Sequence, residues 1–199
     1  MSDTKTIWVT GSKGFIGGEL VRRLQTYENY RVVGTDTELS VTNAERLQAF
    51  ALELKPDIII NAAGISRGAT GISNRIKAYE TNALGAMNVA IAANAVGAYM
   101  VQISTDDVYP QRMAEPANEF DTPHPETPYG KSKRAGEVMV RDAAPDNSLI
   151  VRSSWVYSIH GGLIKEVFDS IKAGKPFDAR TDQYASPTSI ATYTTFLNK

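Results

Sequence analysis

A tyrosine and a lysine stand four residues apart in the segment Tyr129-Gly130-Lys131-Ser132-Lys133. If the segment from Pro128 is helical, the phenol and the ammonium share one helix face. An unperturbed tyrosine has a pKa of about 10, which is poorly matched to proton transfer near neutral pH. A nearby positive charge lowers that pKa and so makes the phenol a better proton donor and acceptor. The pair predicts proton transfer during oxidation or reduction of a carbonyl or alcohol group.

A second set of polar residues, Ser104-Thr105-Asp106, follows the apolar run at 99–103. Open α/β sheets bind their ligands at the carboxyl ends of the strands, which is where this set is expected. The hydroxyl of Thr105 would donate to the substrate oxygen that exchanges a proton with Tyr129, and would stabilise the negative charge that develops on it.

Glycines recur every three residues in Gly11-Ser12-Lys13-Gly14-Phe15-Ile16-Gly17, directly after a predicted strand. Glycine allows a tight strand-to-helix turn, close approach of a pyrophosphate to the backbone, and close packing of the helix on the sheet. Free amides at the start of the helix then face the anion. The motif predicts a dinucleotide-binding turn, although glycine after a strand also occurs where it serves the turn alone.

Two charged residues bear on the choice of dinucleotide. Asp36 follows the second predicted strand, where a carboxylate accepts hydrogen bonds from the adenosine ribose of NADH. Lys13 is placed either to pair with the 2′-phosphate of NADPH or to remain a solvated surface side chain. The predicted cofactor is therefore NADH or NADPH, and the sequence favours NADH slightly.

The elements that position these residues alternate between strands and helices. Strands are predicted at 7–10, 31–35, 57–60, 99–103 and 149–151, with helical segments between them. Thr42 is expected to cap a helix that ends at about Leu54, and an alanine-rich helix is expected from about Ser73 to Val96. Strands joined by helices pair in parallel with right-handed crossovers. The predicted fold class is α/β, a doubly wound parallel sheet forming a Rossmann-like NAD(P)-binding domain.

The composition argues against several function classes. The chain has 199 residues, 42% of them hydrophobic, which is enough for one full core. A net charge of −1 without a basic block predicts no nucleic-acid partner, and no apolar run reaches membrane-spanning length. The lack of cysteine weakly favours a reducing compartment, so a cytoplasmic protein is expected. His124 and His160 are isolated, so no metal site is predicted.

The loop after the third strand also has a hydrolytic interpretation. Gly64-Ile65-Ser66-Arg67-Gly68 fits the nucleophile-elbow pattern, and aspartates and histidines follow it in the required order. That elbow needs a helix directly after the serine, whereas glycines prolong the loop here. Ser66 is therefore expected to be a polar loop residue near the nicotinamide or the substrate.

The motifs occur in a fixed order: Thr10-Gly11-x-x-Gly14-x-x-Gly17, Asp36, Asn61-Ala62-Ala63, Asn82, Ser104-Thr105-Asp106 and Tyr129-x-x-x-Lys133. This ordered set resembles the extended short-chain dehydrogenase/reductase family. Within it, the segments 56–63, 104–109, 152–157 and 182–188 are similar to the dTDP-4-dehydrorhamnose reductase subfamily. The resemblance spans nearly the whole chain.

The resemblance implies NAD(P)H-dependent reduction of a 4-keto nucleotide sugar, with Thr105, Tyr129 and Lys133 as catalytic groups. Together with Ser104, Tyr129 and Lys133, the expected cofactor contacts are Gly11, Ser12, Lys13, Gly14, Phe15, Ile16, Gly17, Asp36, Asn61, Ala62, Ala63 and Asn82. The expected substrate contacts are Thr105, Asp106 and Trp155, although Trp155 suits the core of the sheet equally well.

Members of the family continue beyond the length of this chain. Residues 1–157 are expected to form the dinucleotide-binding domain and residues 158–199 a partial substrate-side segment. Two alternatives stay open: a regulatory module that binds NAD(P) without turnover, and an epimerase or dehydratase of the same family. The long helices after the third and fourth strands present either a core face or the face of a homodimer.

Overall fold

A computed structural model of the protein describes residues 4–66, 74–110, 115–178 and 185–197. The strands in these ranges are β1 (Lys5–Thr10), β2 (Tyr30–Thr35), β3 (Ile58–Asn61), β4 (Tyr99–Thr105), β5 (Ser148–Tyr157) and β6 (Pro187–Ser189). They form a parallel sheet in the order β2-β1-β3-β4-β5-β6. The doubly wound α/β prediction is confirmed.

The helices of the described residues are α1 (Phe15–Leu24), α2 (Ala44–Leu54), α3 (Arg75–Tyr79), α4 (Ala86–Val96), α5 (Pro128–Ala143), α6 (Leu163–Lys172) and α7 (Ile190–Leu197). A π-helical segment, Glu80–Gly85, joins α3 to α4 without a break. Short 3-10 turns follow β2 and β4 at Thr37–Leu39 and Asp106–Val108. Within the described ranges, no helix is both long enough and apolar enough to cross a lipid bilayer.

Hydrophobic side chains cover both faces of the sheet, as the near-continuous apolar runs of the strands require. On one face, Trp8, Ile59 and Met100 pack with residues of α2, α4 and α5. On the other face, a second cluster joins strand residues such as Val9 to Leu20 of α1 and to α7. The sheet is thus held between two helical layers, and its carboxyl edge is left to the loops.

One predicted helix boundary was wrong, and one predicted helix is irregular. The cap of α2 is Asn43, whose Oδ1 accepts the Arg46 amide at 3.1 Å, while the Thr42 hydroxyl pairs with that of Ser40 at 2.9 Å. The alanine-rich helix is not uniformly α-helical, because the π-helical segment interrupts it. Its predicted start at Ser73 lies outside the described residues.

The sheet extends further along the chain than the strand prediction at 149–151 indicated. β5 runs to Tyr157, and β6 pairs with it at Ser154 and at Tyr157, with a register shift between these two residues. α7 then packs against α1 in the second core cluster. The domain boundary at residue 157 stays a prediction. The homodimer also stays a prediction, while the helical run 75–96 exposes Ile76, Tyr79, Leu84 and Ile91.

Two glycines let α5 touch the backbone of neighbouring elements. A Cβ built on Gly136 would lie 2.1 Å from the carbonyl oxygen of Asn82 in the π-helical segment. A Cβ on Gly130 would lie 2.1 Å from the carbonyl oxygen of Asp107, just after β4. Both distances are too short for a methyl group, so α5 is seated on the π-helical segment and on the end of β4 by direct backbone contact.

We predict that Gly136→Ala lowers the free energy of unfolding, although alanine is ordinarily the better helix former. The methyl group must displace α5 from the Asn82 carbonyl, and such overpacking typically costs about 1 to 3 kcal/mol. Chemical denaturation measures the change. Lys131→Ala, on the exposed side of the same helix, should stay within about 0.5 kcal/mol of the wild type. Equal stability of the two variants would contradict the close contact.

Candidate active site

The strand order reverses between β1 and β3, which is where a ligand crevice is expected in a doubly wound sheet. The helices that follow β1 and β3 pack on opposite faces of the sheet. The connections after these two strands therefore leave the carboxyl edge toward opposite faces. Gly11 has a φ of 67°, and a Cβ built on it would lie 2.6 Å from Cα of Ala63. The glycine turn is thus pressed against Ala62 and Ala63, as the sequence places them.

The turn also has the properties needed to receive a diphosphate. A Cβ on Gly17 would lie 2.2 Å from the carbonyl oxygen of Gly11, so only glycine lets the helix start this close to the turn. Gly14 is the N-cap of α1 and supplies no side-chain cap. The first amides of α1, beginning with those of Phe15 and Ile16, have no acceptor within the helix. The N-terminus of α1 therefore presents free donors and a partial positive charge to an anion.

Charged side chains gather at the ends of β1 and β2. Asp36 Oδ2 accepts the Lys13 amide at 2.9 Å, and its Oδ1 accepts the Thr37 amide at 2.9 Å. The Lys13 ammonium pairs with Glu38 at 2.9 Å. The hydrogen bond from Lys13 holds the pKa of the Glu38 carboxyl down at about 2, and the same contact raises the pKa of Lys13. Lys13 and Asp36 are thus brought together, with Glu38 as a partner that the sequence did not single out.

A buried chain of polar side chains crosses three strands below the crevice. The Thr10 hydroxyl donates to Asn61 Oδ1 at 2.6 Å, and Asn61 Nδ2 donates to Gln102 Oε1 at 2.7 Å. Asn61 is only 1% exposed, so its side chain supports the crevice from within the sheet. The prediction that Asn61 contacts the cofactor is untested, and its side-chain amide is already engaged.

Lys133 is bonded to the last acceptor of this series of hydrogen bonds. Gln102 Nε2 donates to the carbonyl oxygen of Ile103 at 2.9 Å, and Lys133 Nζ donates to the same oxygen at 2.6 Å. Burial lowers the pKa of Lys133 from 10.5 to about 8, while the charge of Glu137 acts in the opposite direction. A Cβ on Gly64 would lie 3.9 Å from the ammonium. Lys133 is therefore bonded to β4 and lies beside the loop after β3.

Asn82 joins the same loop to α5. Its Oδ1 accepts the Ile65 amide at 2.7 Å, and its Nδ2 donates to the carbonyl oxygen of Ile65 at 3.1 Å and to Ser132 Oγ at 2.9 Å. The residue lies in the π-helical segment, a kind of irregularity that is frequent at functional sites. Asn82 thus fixes the loop after β3 beside Lys133.

Thr105 and Tyr129 are placed near each other by contacts of neighbouring residues. Thr105 is the last residue of β4; its Oγ1 accepts the Asp107 amide at 3.2 Å and donates to Asp106 Oδ1 at 3.2 Å. Gly130, directly after Tyr129, is seated on the carbonyl of Asp107. Because Lys133 also contacts β4 at Ile103, the first turn of α5 holds Tyr129 beside the end of that strand.

A buried charge cluster behind these residues was missed by the sequence analysis. Glu137 is fully buried and accepts from Ser104 Oγ at 2.6 Å, from Arg152 Nη2 at 2.8 Å and from Arg134 Nη1 at 3.0 Å. Desolvation opposes ionisation of Glu137, but the bonds from Arg152 and Ser104 prevail and lower its pKa. Glu137 follows Lys133 by four residues, as Lys133 follows Tyr129, and this helical spacing was the signal that could have identified it. The Ser104 hydroxyl is directed into this cluster.

Arg152 extends the cluster toward the loop before α5. Its Nη1 donates to the Tyr109 hydroxyl at 2.6 Å, and its guanidinium carbon lies 5.0 Å from the centre of that ring. The Tyr109 hydroxyl in turn donates to the carbonyl oxygen of Asn118 at 2.8 Å. The long connection between β4 and α5 is therefore tied to the same buried carboxylate that lies behind the candidate site.

Trp155 occupies a strained position near the site. It has a φ of 43°, which is unusual for a bulky residue, at the irregularity of β5. It follows two residues after Ser153, the register partner of Thr105. Its side chain is half-buried, and both roles stay predictions.

Tyr193 of α7 is a second phenol in this region. It is 3% exposed, and its hydroxyl has no hydrogen-bond partner among the described residues. Burial raises its pKa to about 12, the Ser153 side chain acts to lower this pKa, and the charge of Tyr129 acts to raise it. The sequence analysis missed Tyr193 because it made no prediction for the helix that carries it.

The hydrolytic interpretation lies partly outside the described residues, which end at Ser66 before Arg67 and Gly68. Ser66 itself is exposed in the loop after β3, and the next described helix, α3, begins at Arg75.

Comparison with known proteins places these features in a family. The family described as RmlD substrate binding domain matches residues 5–199. The spore coat polysaccharide biosynthesis protein SpsK of Bacillus subtilis is 34% identical over 185 residues, which make up 92% of this chain and 64% of that protein. The dTDP-4-dehydrorhamnose reductase of Salmonella typhimurium is 33% identical over 186 residues, 92% of this chain and 62% of that protein. The chain thus spans less than two thirds of the length of either relative.

A solved structure agrees with these matches. The crystal structure of dTDP-4-dehydrorhamnose reductase from Bacillus anthracis in complex with NADP superposes with a TM-score of 0.91 at 33% identity. The superposition covers 100% of this chain and 71% of that one. The resemblance drawn from the sequence motifs is confirmed, and the chain belongs to the RmlD substrate binding domain family.

Proposed function

We propose that the protein reduces a 4-keto group on a nucleotide sugar with NADH or NADPH. One arrangement supports the proposal: Thr105 ends β4, Lys133 of α5 donates to the Ile103 carbonyl of the same strand, and Tyr129 lies one helical turn before Lys133. The glycine turn is in close contact with Ala63, and the next residue, Gly64, lies near the Lys133 ammonium. This path runs from an anion-binding turn to a proton-transferring pair, which is the order a dinucleotide-dependent reductase needs.

The residues of the turn fit a dinucleotide. The missing Cβ atoms of Gly11 and Gly17 allow the tight turn, and the free amides of α1 suit its diphosphate. Asp36 is held with both carboxylate oxygens near the end of β2, where a ribose would be bound. When bound, the nicotinamide supplies a hydride to the carbonyl carbon.

Each residue at the end of β4 then has a separate task. Tyr129 gives a proton to the substrate oxygen. The Thr105 hydroxyl, which donates to Asp106 Oδ1 in this structure, turns to donate to the same substrate oxygen as negative charge grows there. Lys133 keeps a positive charge beside the phenol, which favours its ionised form after the proton has left. Asp106 and Trp155 are proposed to contact the substrate, because both lie at the same edge of the sheet.

The nucleotide-sugar class is supported by the relatives. The Salmonella relative is named for its action on dTDP-4-dehydrorhamnose, and the superposed Bacillus anthracis protein carries the same name. The proposal extends that substrate class to this chain. The regulatory-module and epimerase alternatives predict cofactor binding without net reduction, so they are separated from it by the turnover measurement below.

We predict that Tyr129→Phe binds NADH and NADPH nearly as well as the wild type but loses turnover severely, by about a hundredfold or more. The ring is retained, whereas the transferable proton is lost. Cofactor fluorescence measures binding, and oxidation of NAD(P)H by a dTDP-4-keto-6-deoxy sugar measures turnover in the native protein.

Tyr99→Phe is the matched control for this variant. Tyr99 is an exposed tyrosine at the start of β4, on the opposite edge of the sheet, so its loss should leave both measurements unchanged. Unchanged turnover in Tyr129→Phe would refute the acid role. Cofactor binding without turnover in the wild type would favour the regulatory module.

A second prediction concerns the protonation of Lys133. Burial lowers its pKa from 10.5 to about 8, so between these values the unfolded chain holds more protons than the folded one. The free energy of unfolding therefore rises with pH across this window, and the burial penalty is fully present below pH 8. Compared with Lys133→Met, the wild type should gain up to about 3 kcal/mol between pH 8 and 10.5.

Denaturation of both proteins at several pH values measures this difference, and the other titrating groups cancel in the comparison. Lys131→Met, an exposed lysine on the same helix, is the control and should show no such slope. A pH-independent difference between the wild type and Lys133→Met would mean that the ammonium is not desolvated.

A further inference from the structure

The carboxylates at the end of β2 bear on which dinucleotide is bound, an inference that rests on the proposed function. NADPH differs from NADH by a phosphate on the adenosine ribose, which carries close to two negative charges at neutral pH. An acidic residue after the second strand suits the free ribose, whereas a cation suits the phosphate. This chain carries both Asp36 and Lys13 there, so neither residue alone decides the preference.

Glu38 contacts both of these residues. Its Oε2 accepts from the Lys13 ammonium at 2.9 Å, and its Oε1 accepts the Asp36 amide at 2.7 Å. The second bond fixes the carboxylate beside Asp36 instead of leaving it free in solvent. A pKa of about 2 means that Glu38 keeps its negative charge throughout the physiological range.

Asp36 is fixed equally well. Its two oxygens accept the amides of Lys13 and Thr37, each at 2.9 Å. A carboxylate has about four acceptor sites, so two remain for ribose hydroxyls. Two carboxylates therefore lie at the end of β2, where a bound 2′-phosphate would bring more negative charge, and the nearby Lys13 ammonium is already paired with Glu38.

We propose that Glu38 is the specificity-determining residue for the dinucleotide: by holding Lys13 and placing a second negative charge beside Asp36, it makes this chain prefer NADH to NADPH. The ion pair is exposed and contributes little to folding, as is usual for such pairs. Its effect is on ligand binding. Replacement of Glu38 frees the Lys13 ammonium to bind a phosphate and removes a negative charge that would repel that phosphate.

The test is equilibrium binding of NADH and NADPH to the native protein at low ionic strength, with no substrate present. The wild type should bind NADH more tightly. Glu38→Gln should tighten NADPH by about threefold to tenfold and change NADH by less than twofold. Lys13→Met introduced into Glu38→Gln should abolish most of that gain, because the released ammonium is its source.

Glu53→Gln is the matched control. It removes the same charge from the exposed side of α2, near the end of that helix and away from the carboxyl edge of the sheet, so the NADH to NADPH ratio should not move. Added salt should shrink the gain in Glu38→Gln, because an exposed ammonium and phosphate are screened.

Three outcomes would overturn the proposal: an unchanged ratio in Glu38→Gln, an equal shift in Glu53→Gln, or a wild type that prefers NADPH. Binding of both dinucleotides without turnover would remove the proposed reductase activity and leave the selectivity result standing. If neither dinucleotide binds to the folded wild type, the site and the selectivity proposal fail together.

Discussion

The buried ammonium of Lys133 is the constraint on which the candidate site depends. A charge at this depth is costly unless it is hydrogen-bonded and has a counter-charge nearby. The carbonyl of Ile103 supplies the bond at 2.6 Å, and Glu137 supplies the counter-charge. Because Glu137 is itself buried, it needs the donors of Arg152, Arg134 and Ser104. The burial of Lys133 thus accounts for a charge cluster that reaches from α5 to β5.

The same constraint acts within the sheet. The Ile103 carbonyl also accepts from Gln102, whose side chain continues through Asn61 to Thr10 on β1. In this series of hydrogen bonds each buried polar group is paired with the next, so none of them can be replaced alone without leaving a partner unpaired. The carboxyl ends of β1, β3 and β4 are thereby held at a fixed spacing below the glycine turn. The spacing of the crevice is set by hydrogen bonds inside the sheet as well as by the loops above it.

Features with a local physical cause were predictable from the sequence. The glycine turn follows from backbone sterics, and the shared face of Tyr129 and Lys133 follows from helical spacing. The pairing of Glu137 with Arg152 joins different elements, so composition and periodicity carry no sign of it. The π-helical segment was equally hidden, since its sequence suits an ordinary helix. There the bonds of Asn82 to Ile65 and Ser132 accompany the wider turn, and both are tertiary contacts.

The two ends of the proposed crevice differ in how deeply their charged groups are buried. At the proposed reactive end, charges are buried and mutually dependent, so a single substitution disturbs folding and chemistry together. At the proposed adenosine end, Lys13 and Glu38 are exposed to solvent, with 70% and 53% of their side-chain surfaces accessible. Their interaction is screened by salt and nearly independent of the core. Dinucleotide preference can therefore change through surface residues alone, while the groups around Lys133 must be retained as a set.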